Sequence, residues 1–106
     1  MFTKRKKFIK ILTPEDRLDI TLEIDKKTII KFALNYRALI NNKWKEIYRV
    51  DNFHGFLHEQ KFWKSPKPIP IKETLPINQI VEKYVNEITL KFQKYKELYR
   101  EKNETN

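Results

Sequence analysis

The sequence predicts an α+β fold: an antiparallel meander of four or five strands, a proline-rich connector, and one long C-terminal helix packed on the sheet. Three observations predict it. Apolar and polar residues alternate through residues 17–63, the period of half-buried strands. Past Pro76 the apolar spacing lengthens to three and four, the period of an amphipathic helix. Between them, Ser65-Pro66-Lys67-Pro68-Ile69-Pro70 cannot join a central strand, because proline donates nothing to a ladder. A length of 106 residues fits one domain over 1–106 and leaves no room for two.

Residues 1–12 read as a basic N-terminal arm or as an edge strand, with Phe8–Leu12 the part best suited to pairing. Leu18, Ile20, Leu22 and Ile24 then alternate with Asp19, Thr21 and Glu23. Asp25-Lys26-Lys27 reads as a turn. From Thr28 to Ile40 the alternation resumes, with Ile30, Phe32, Leu34, Tyr36, Ala38 and Ile40 on one face. Asn41-Asn42-Lys43 is a second turn, since asparagine tolerates positive φ. Trp44 to Asp51 and Phe56 to Trp63 are two further runs. Residues 65–75 form a stiff extended connector, and residues 76–102 a helix with Pro76 in its first turn. Its apolar stripe runs from Ile77 through Tyr84, Ile88, Phe92 and Tyr95 to Tyr99.

Register follows from keeping apolar residues on one face. A three-residue loop at Asn41–Lys43 pairs Ile40 with Trp44, Tyr36 with Tyr48, and Leu34 with Val50. A turn through Asn52-Phe53-His54-Gly55 then pairs Val50 with Leu57, Arg49 with His58, Glu46 with Lys61, and Trp44 with Trp63. The opposite face of these strands carries Asn35, Arg37, Arg49 and His58, with Phe56 and Phe62 beside them.

Charge narrows the function. The chain carries 23 Lys and Arg against 14 Asp and Glu, a formal net charge of +9. So basic a small domain points to an anionic partner, RNA or DNA. The excess sits in the first thirteen residues and in the middle of the chain, and the helix is nearly neutral. Candidate nucleic-acid contacts are Lys4, Arg5, Lys6, Lys7, Arg37 and Arg49 to phosphate, with Phe56 as a base-stacking surface. The bland alternatives are a frayed terminus and a well-packed core aromatic.

The exclusions are clear. Without cysteine there is neither a disulfide scaffold nor a thiolate metal site. No apolar run approaches the ~18 residues of a membrane span, and the N-terminus lacks a secretory signal, so the expected location is cytoplasmic with no membrane partner. There is no phosphate-cradling glycine loop and no nucleophile elbow. No metal or cofactor is expected: His54 and His58 have a helical zinc spacing, but Gly55 and the strand pattern argue against a helix there.

Both histidines fall within Asp51-Asn52-Phe53-His54-Gly55-Phe56-Leu57-His58. Metal-independent RNA cleavage needs a base for the 2′-hydroxyl, an acid for the leaving oxygen, and cations for the transition state. His54, His58 and Arg49 are the candidate catalytic set. The competing reading makes them polar residues of a hairpin turn, with Asp51 and Asn52 as turn formers.

Trp44, Arg49, Asp51, His54, Gly55 and His58 carry a resemblance. From Phe32 to about Arg100 the chain resembles a family of short, mostly archaeal proteins. Their pattern is a strand, a Trp-containing turn, an Arg-x-Asp-x-x-His-Gly-x-x-His hairpin and a C-terminal helix. The Asp-Asn-x-His-Gly-x-x-His core is also similar to TumE-type toxins of toxin–antitoxin pairs. It differs from them in having fewer histidines and Val50 before Asp51 in place of tyrosine. The resemblance implies a ribosome- or RNA-directed toxin neutralised by an antitoxin protein. The alternatives are a non-catalytic RNA- or DNA-binding accessory protein, and a protein-interaction module that homodimerises through the C-terminal helix near Tyr95–Tyr99.

Overall fold

A computed structural model describes residues 3–104. Strands β1 (Lys4–Thr13), β2 (Asp16–Asp25), β3 (Thr28–Ile40), β4 (Lys43–Asp51), β5 (His58–Lys61) and β6 (Ile69–Pro70) form one antiparallel sheet in sequence order. Helix α1 (Ile77–Glu104) follows and packs chiefly on β3 and β4. The N-terminal segment is therefore an edge strand from Lys4 onward, and Met1 and Phe2 lie outside the described residues. The sheet has a sixth strand beyond the four or five expected. β6 lies inside the proline connector, tolerated because it is an edge.

Two-residue turns join β2 to β3 and β3 to β4. Lys26 and Lys27 have φ of 49° and 68°, and Asn41 and Asn42 have 52° and 63°. Paired positive φ values are the backbone of the tight hairpin turn whose twist matches the strands. The expected three-residue loop at Asn41–Lys43 is thus shorter by one, and Ile40 pairs with Lys43.

A bulge in β4 reconciles the shorter loop with the rest of the register. Leu34 opposes Val50 and Tyr36 opposes Tyr48, as expected, but Arg37 then opposes Glu46. Ile47 is the extra residue and turns into the core beside Tyr48. Everything beyond it changes face, so Trp44 leaves the core side and takes the Arg17 guanidinium 4.6 Å over its ring. A similar bulge leaves Ile30 without a partner in β2. Ile29 rather than Ile30 then packs against the core.

The β4–β5 hairpin is shifted by two residues from the expected register. Asp51 opposes His58, Val50 opposes Glu59, Arg49 opposes Gln60 and Tyr48 opposes Lys61. The expected pairs Val50–Leu57, Arg49–His58, Glu46–Lys61 and Trp44–Trp63 do not form. Local hydrogen bonds account for the longer loop. Asp51 Oδ1 accepts from Phe53 N at 3.1 Å, and Asn52 stays tied to β3 through Phe32 N to its Oδ1 at 2.8 Å. An even shift preserves faces, so Arg49 and His58 still share one face.

Leu18, Phe32, Leu34, Tyr36, Tyr48 and Val50 face α1, which answers with Ile80, Tyr84, Ile88 and Tyr95. Phe92 meets Tyr36 edge-on at 5.8 Å, and Tyr95 lies between Tyr48 at 5.0 Å and Trp63 at 5.2 Å. Polar ties fix the helix across the sheet. Asp16, buried, accepts from the Tyr36 hydroxyl at 2.6 Å and pairs with Lys96 of α1 at 3.3 Å. Lys10 donates to Thr89 at 3.2 Å. The helix covers one face of the sheet and leaves the other open.

Candidate functional site

Alternation along each strand decides which polar residues reach the open face. β1 sends Arg5 and Lys7 there, β2 sends Arg17, Asp19, Thr21 and Glu23, and β3 sends Lys31, Ala33, Asn35 and Arg37. β4 adds Glu46, Arg49 and Asp51, and β5 adds His58. Lys4 and Lys6 point to the helix side, so the basic arm is split by strand geometry. Of the expected phosphate contacts, Arg5, Lys7, Arg37 and Arg49 share one face. Lys4 and Lys6 do not belong to it.

The open face is an ion-pair lattice. Asp19 lies 3.4 Å from Arg17 Nε and 3.0 Å from Arg37 Nε. Glu46 Oε1 accepts from Arg37 Nη2 and from Asn35 Nδ2, each at 3.2 Å. Arg5 pairs with Glu23 at 3.3 Å. Both Nε contacts to Asp19 lie within ion-pair distance yet miss hydrogen-bond alignment, which leaves these groups electrostatically paired but not saturated. Lys7 makes no ion pair among the described residues. Six cations (Arg5, Lys7, Arg17, Lys31, Arg37, Arg49) stand against four carboxylates (Asp19, Glu23, Glu46, Asp51), so the face keeps a positive excess.

Lys7, Ile9, Arg17, Asp19, Thr21, Asn35, Arg37 and Arg49 border a shallow depression of about 380 Å³ at the centre of this face. Aromatic rings stand beyond it. Trp44 stacks with Arg17 at one end of the strands. At the other, Phe53 lies 5.5 Å beneath the Arg5 guanidinium, and the ring of Phe56, 51% exposed, lies 5.1 Å from that of His58.

The histidine cluster closes that end. Asp51, 1% exposed, presents Oδ2 to Arg49 Nε at 2.7 Å and to His58 Nε2 at 3.3 Å. His58, 5% exposed, turns Nδ1 to the Phe56 carbonyl at 3.2 Å. Both ring nitrogens thus lie against oxygens of the protein. His54 is exposed and stacks on His58 with centroids 5.9 Å apart. The structure therefore brings Arg49, His54 and His58 together, with His58 fully engaged inside the protein and His54 open to solvent. The side chain that organises them, Asp51, was read in the sequence as a turn former and as part of the hairpin motif, not as the partner of Arg49 and His58.

Arg17 and Phe53 were missed as face residues by sequence reasoning. For Arg17 the signal was present: it is two residues from Asp19 and thus on the polar side of β2. No curated protein and no solved structure matches the chain. The model of one family, Domain of unknown function (DUF7718), matches residues 3–105, nearly the whole chain, and the protein belongs to that family.

Proposed function

We propose that the protein binds single-stranded nucleic acid, RNA foremost, across the open face of its sheet. One observation carries the reading: a single uncovered face gathers Lys7, Arg17, Arg37 and Arg49 around a depression, with Trp44, Phe53 and Phe56 at its ends. Cations that track phosphates and rings that stack bases are the two parts a single-strand platform needs. A duplex fits less well, because among the described residues the open face presents no helix or protruding ribbon to enter a groove. The test is fluorescence anisotropy with a labelled single-stranded RNA of mixed sequence. Four phosphate contacts give a slope of about −3 for log affinity against log salt. Lys7→Glu should weaken binding about tenfold, while Lys94→Glu, an equal charge change on the exposed side of α1, should leave it nearly unchanged. Equal losses would reduce the effect to net charge and overturn the reading.

A second reading, metal-independent RNA cleavage of the toxin type, is favoured by the Arg49–Asp51–His58 cluster with His54 stacked on it. His54 would exchange protons with the substrate, since it is exposed while His58 is buried between Asp51 and the Phe56 carbonyl. Cleavage of RNA in EDTA, lost in His54→Ala, supports this reading. No cleavage, or cleavage unchanged in that variant, removes it. Dimerisation through the helix has less support, because Tyr95 is enclosed by Tyr48 and Trp63 of its own chain.

A further inference from the structure

Asn35 lies on the floor of the central depression and is 7% exposed. Its Nδ2 donates to Glu46 Oε1 at 3.2 Å. That contact fixes the amide: the reverse orientation would set Oδ1 against a carboxylate oxygen. Asn35 Oδ1 is consequently buried with no hydrogen-bond partner. An acceptor left bare in a native structure needs an explanation, and its side chain borders a hollow large enough for a small ligand, so that a modest shift of the side chains over it would open it.

The orphan group specifies what is missing. It needs a donor. A phosphodiester or an ionised carboxylate alone brings none, although the surrounding Lys7, Arg17, Arg37 and Arg49 would hold either. A nucleotide brings both, an anion for the rim and an N–H for the floor. Arg17 and Arg37 border the same hollow, and their planar guanidiniums suit stacking against a flat ring.

We infer that the depression is a base-reading subsite, in which Asn35 Oδ1 accepts from the exocyclic amine of a nucleobase while Lys7 and Arg49 hold the adjoining phosphates. This rests on the nucleic-acid reading above and adds selectivity to it. Bases with an exocyclic amine are preferred over bases without one. Phosphate contacts set the affinity and Asn35 sets the discrimination.

The test compares two labelled RNA octamers, all-adenosine and all-purine-riboside, which differ only in the exocyclic amine. The wild type should bind the adenosine octamer about five- to tenfold more tightly, the value of one well-placed hydrogen bond. Asn35→Ala should bind both equally, near the weaker value. If the alanine variant fails to fold, Asn35→Thr suits a strand, is too short to reach the base, and carries the same expectation. Equal binding of the two octamers by the wild type overturns the base-reading role and leaves the nucleic-acid reading standing. A preference that persists in the Asn35 variants also overturns it, because the amine is then read elsewhere. Binding of neither octamer at low salt overturns both.

Discussion

Asp51 Oδ2 faces two nitrogens, Arg49 Nε at 2.7 Å and His58 Nε2 at 3.3 Å, while Oδ1 accepts from the turn at Phe53. Removing that carboxylate strands a buried imidazole and frees the hairpin end. Asp51→Ala should lower unfolding free energy by about 2–3 kcal/mol in urea melts, at the lower end for a buried pair because Arg49 is partly solvated. His58→Ala should cost about 2 kcal/mol, and His54→Ala less than about 0.5 kcal/mol, since His54 is exposed. Equal stability losses for the two histidines would contradict their different placement. The sequence made both histidines look alike. Period-two alternation correctly put Asn35, Arg37, Arg49 and His58 on one face, because that inference needs only local geometry. The bare acceptor on Asn35 was invisible, since it depends on which way Glu46 turns after a bulge.

Strands and helix were legible as elements because each kept its own period, and the errors lie where that period breaks. Both sheet bulges next to β3 and β4 fall at doubled apolar residues, Ile29-Ile30 and Ile47-Tyr48, where strict alternation permits one. A doubled apolar pair marks these two bulges but is not sufficient for one, since Phe32-Ala33-Leu34 keeps an unbroken register. Turn chemistry offers a direct check. Lys26 and Lys27 hold positive φ without the residues that favour it. Replacing them with Asn-Gly should raise stability by about 0.5–1 kcal/mol, seen as a higher urea midpoint at unchanged slope. No gain would mean that the turn strain is absent. The helix–sheet interface carries a second check. Burial, then the hydrogen bond to Asp16, pushes the Tyr36 hydroxyl well above its usual range. Burial and Glu59 do the same for Tyr48, and burial pushes Tyr95 up to about 12. A phenol whose pKa is higher folded than unfolded adds stability that is complete below about pH 10 and is lost as pH rises through the folded value. Circular dichroism should therefore show alkaline unfolding above pH 10, with phenolate absorbance at 295 nm rising alongside it. Normal titration of Tyr36, Tyr48 and Tyr95 in a folded chain would contradict the packing.

For the whole molecule, the sheet separates two jobs. One face is spent on α1 and the core, and the other keeps an unspent positive excess. The free edge at β1 exposes Phe8, Ile9 and Ile11, yet pairing with a second copy would set Lys4, Arg5, Lys6, Lys7 and Lys10 against their own kind. The protein is expected to sediment as a monomer at low salt, and a dimer there would contradict this charge argument. Among the described residues no helix is long and apolar enough to cross a membrane. The central claim concerns a surface, so the most direct measurement is an NMR titration of the labelled protein with single-stranded RNA. The expected result is shifts in the side-chain signals of Arg17, Asn35, Arg37 and Arg49 and in the loop from Asn52 to Leu57, with the exposed side of α1 around Lys94 unmoved. Shifts concentrated on α1, or none at low salt, would contradict the assignment of the open face as the nucleic-acid surface.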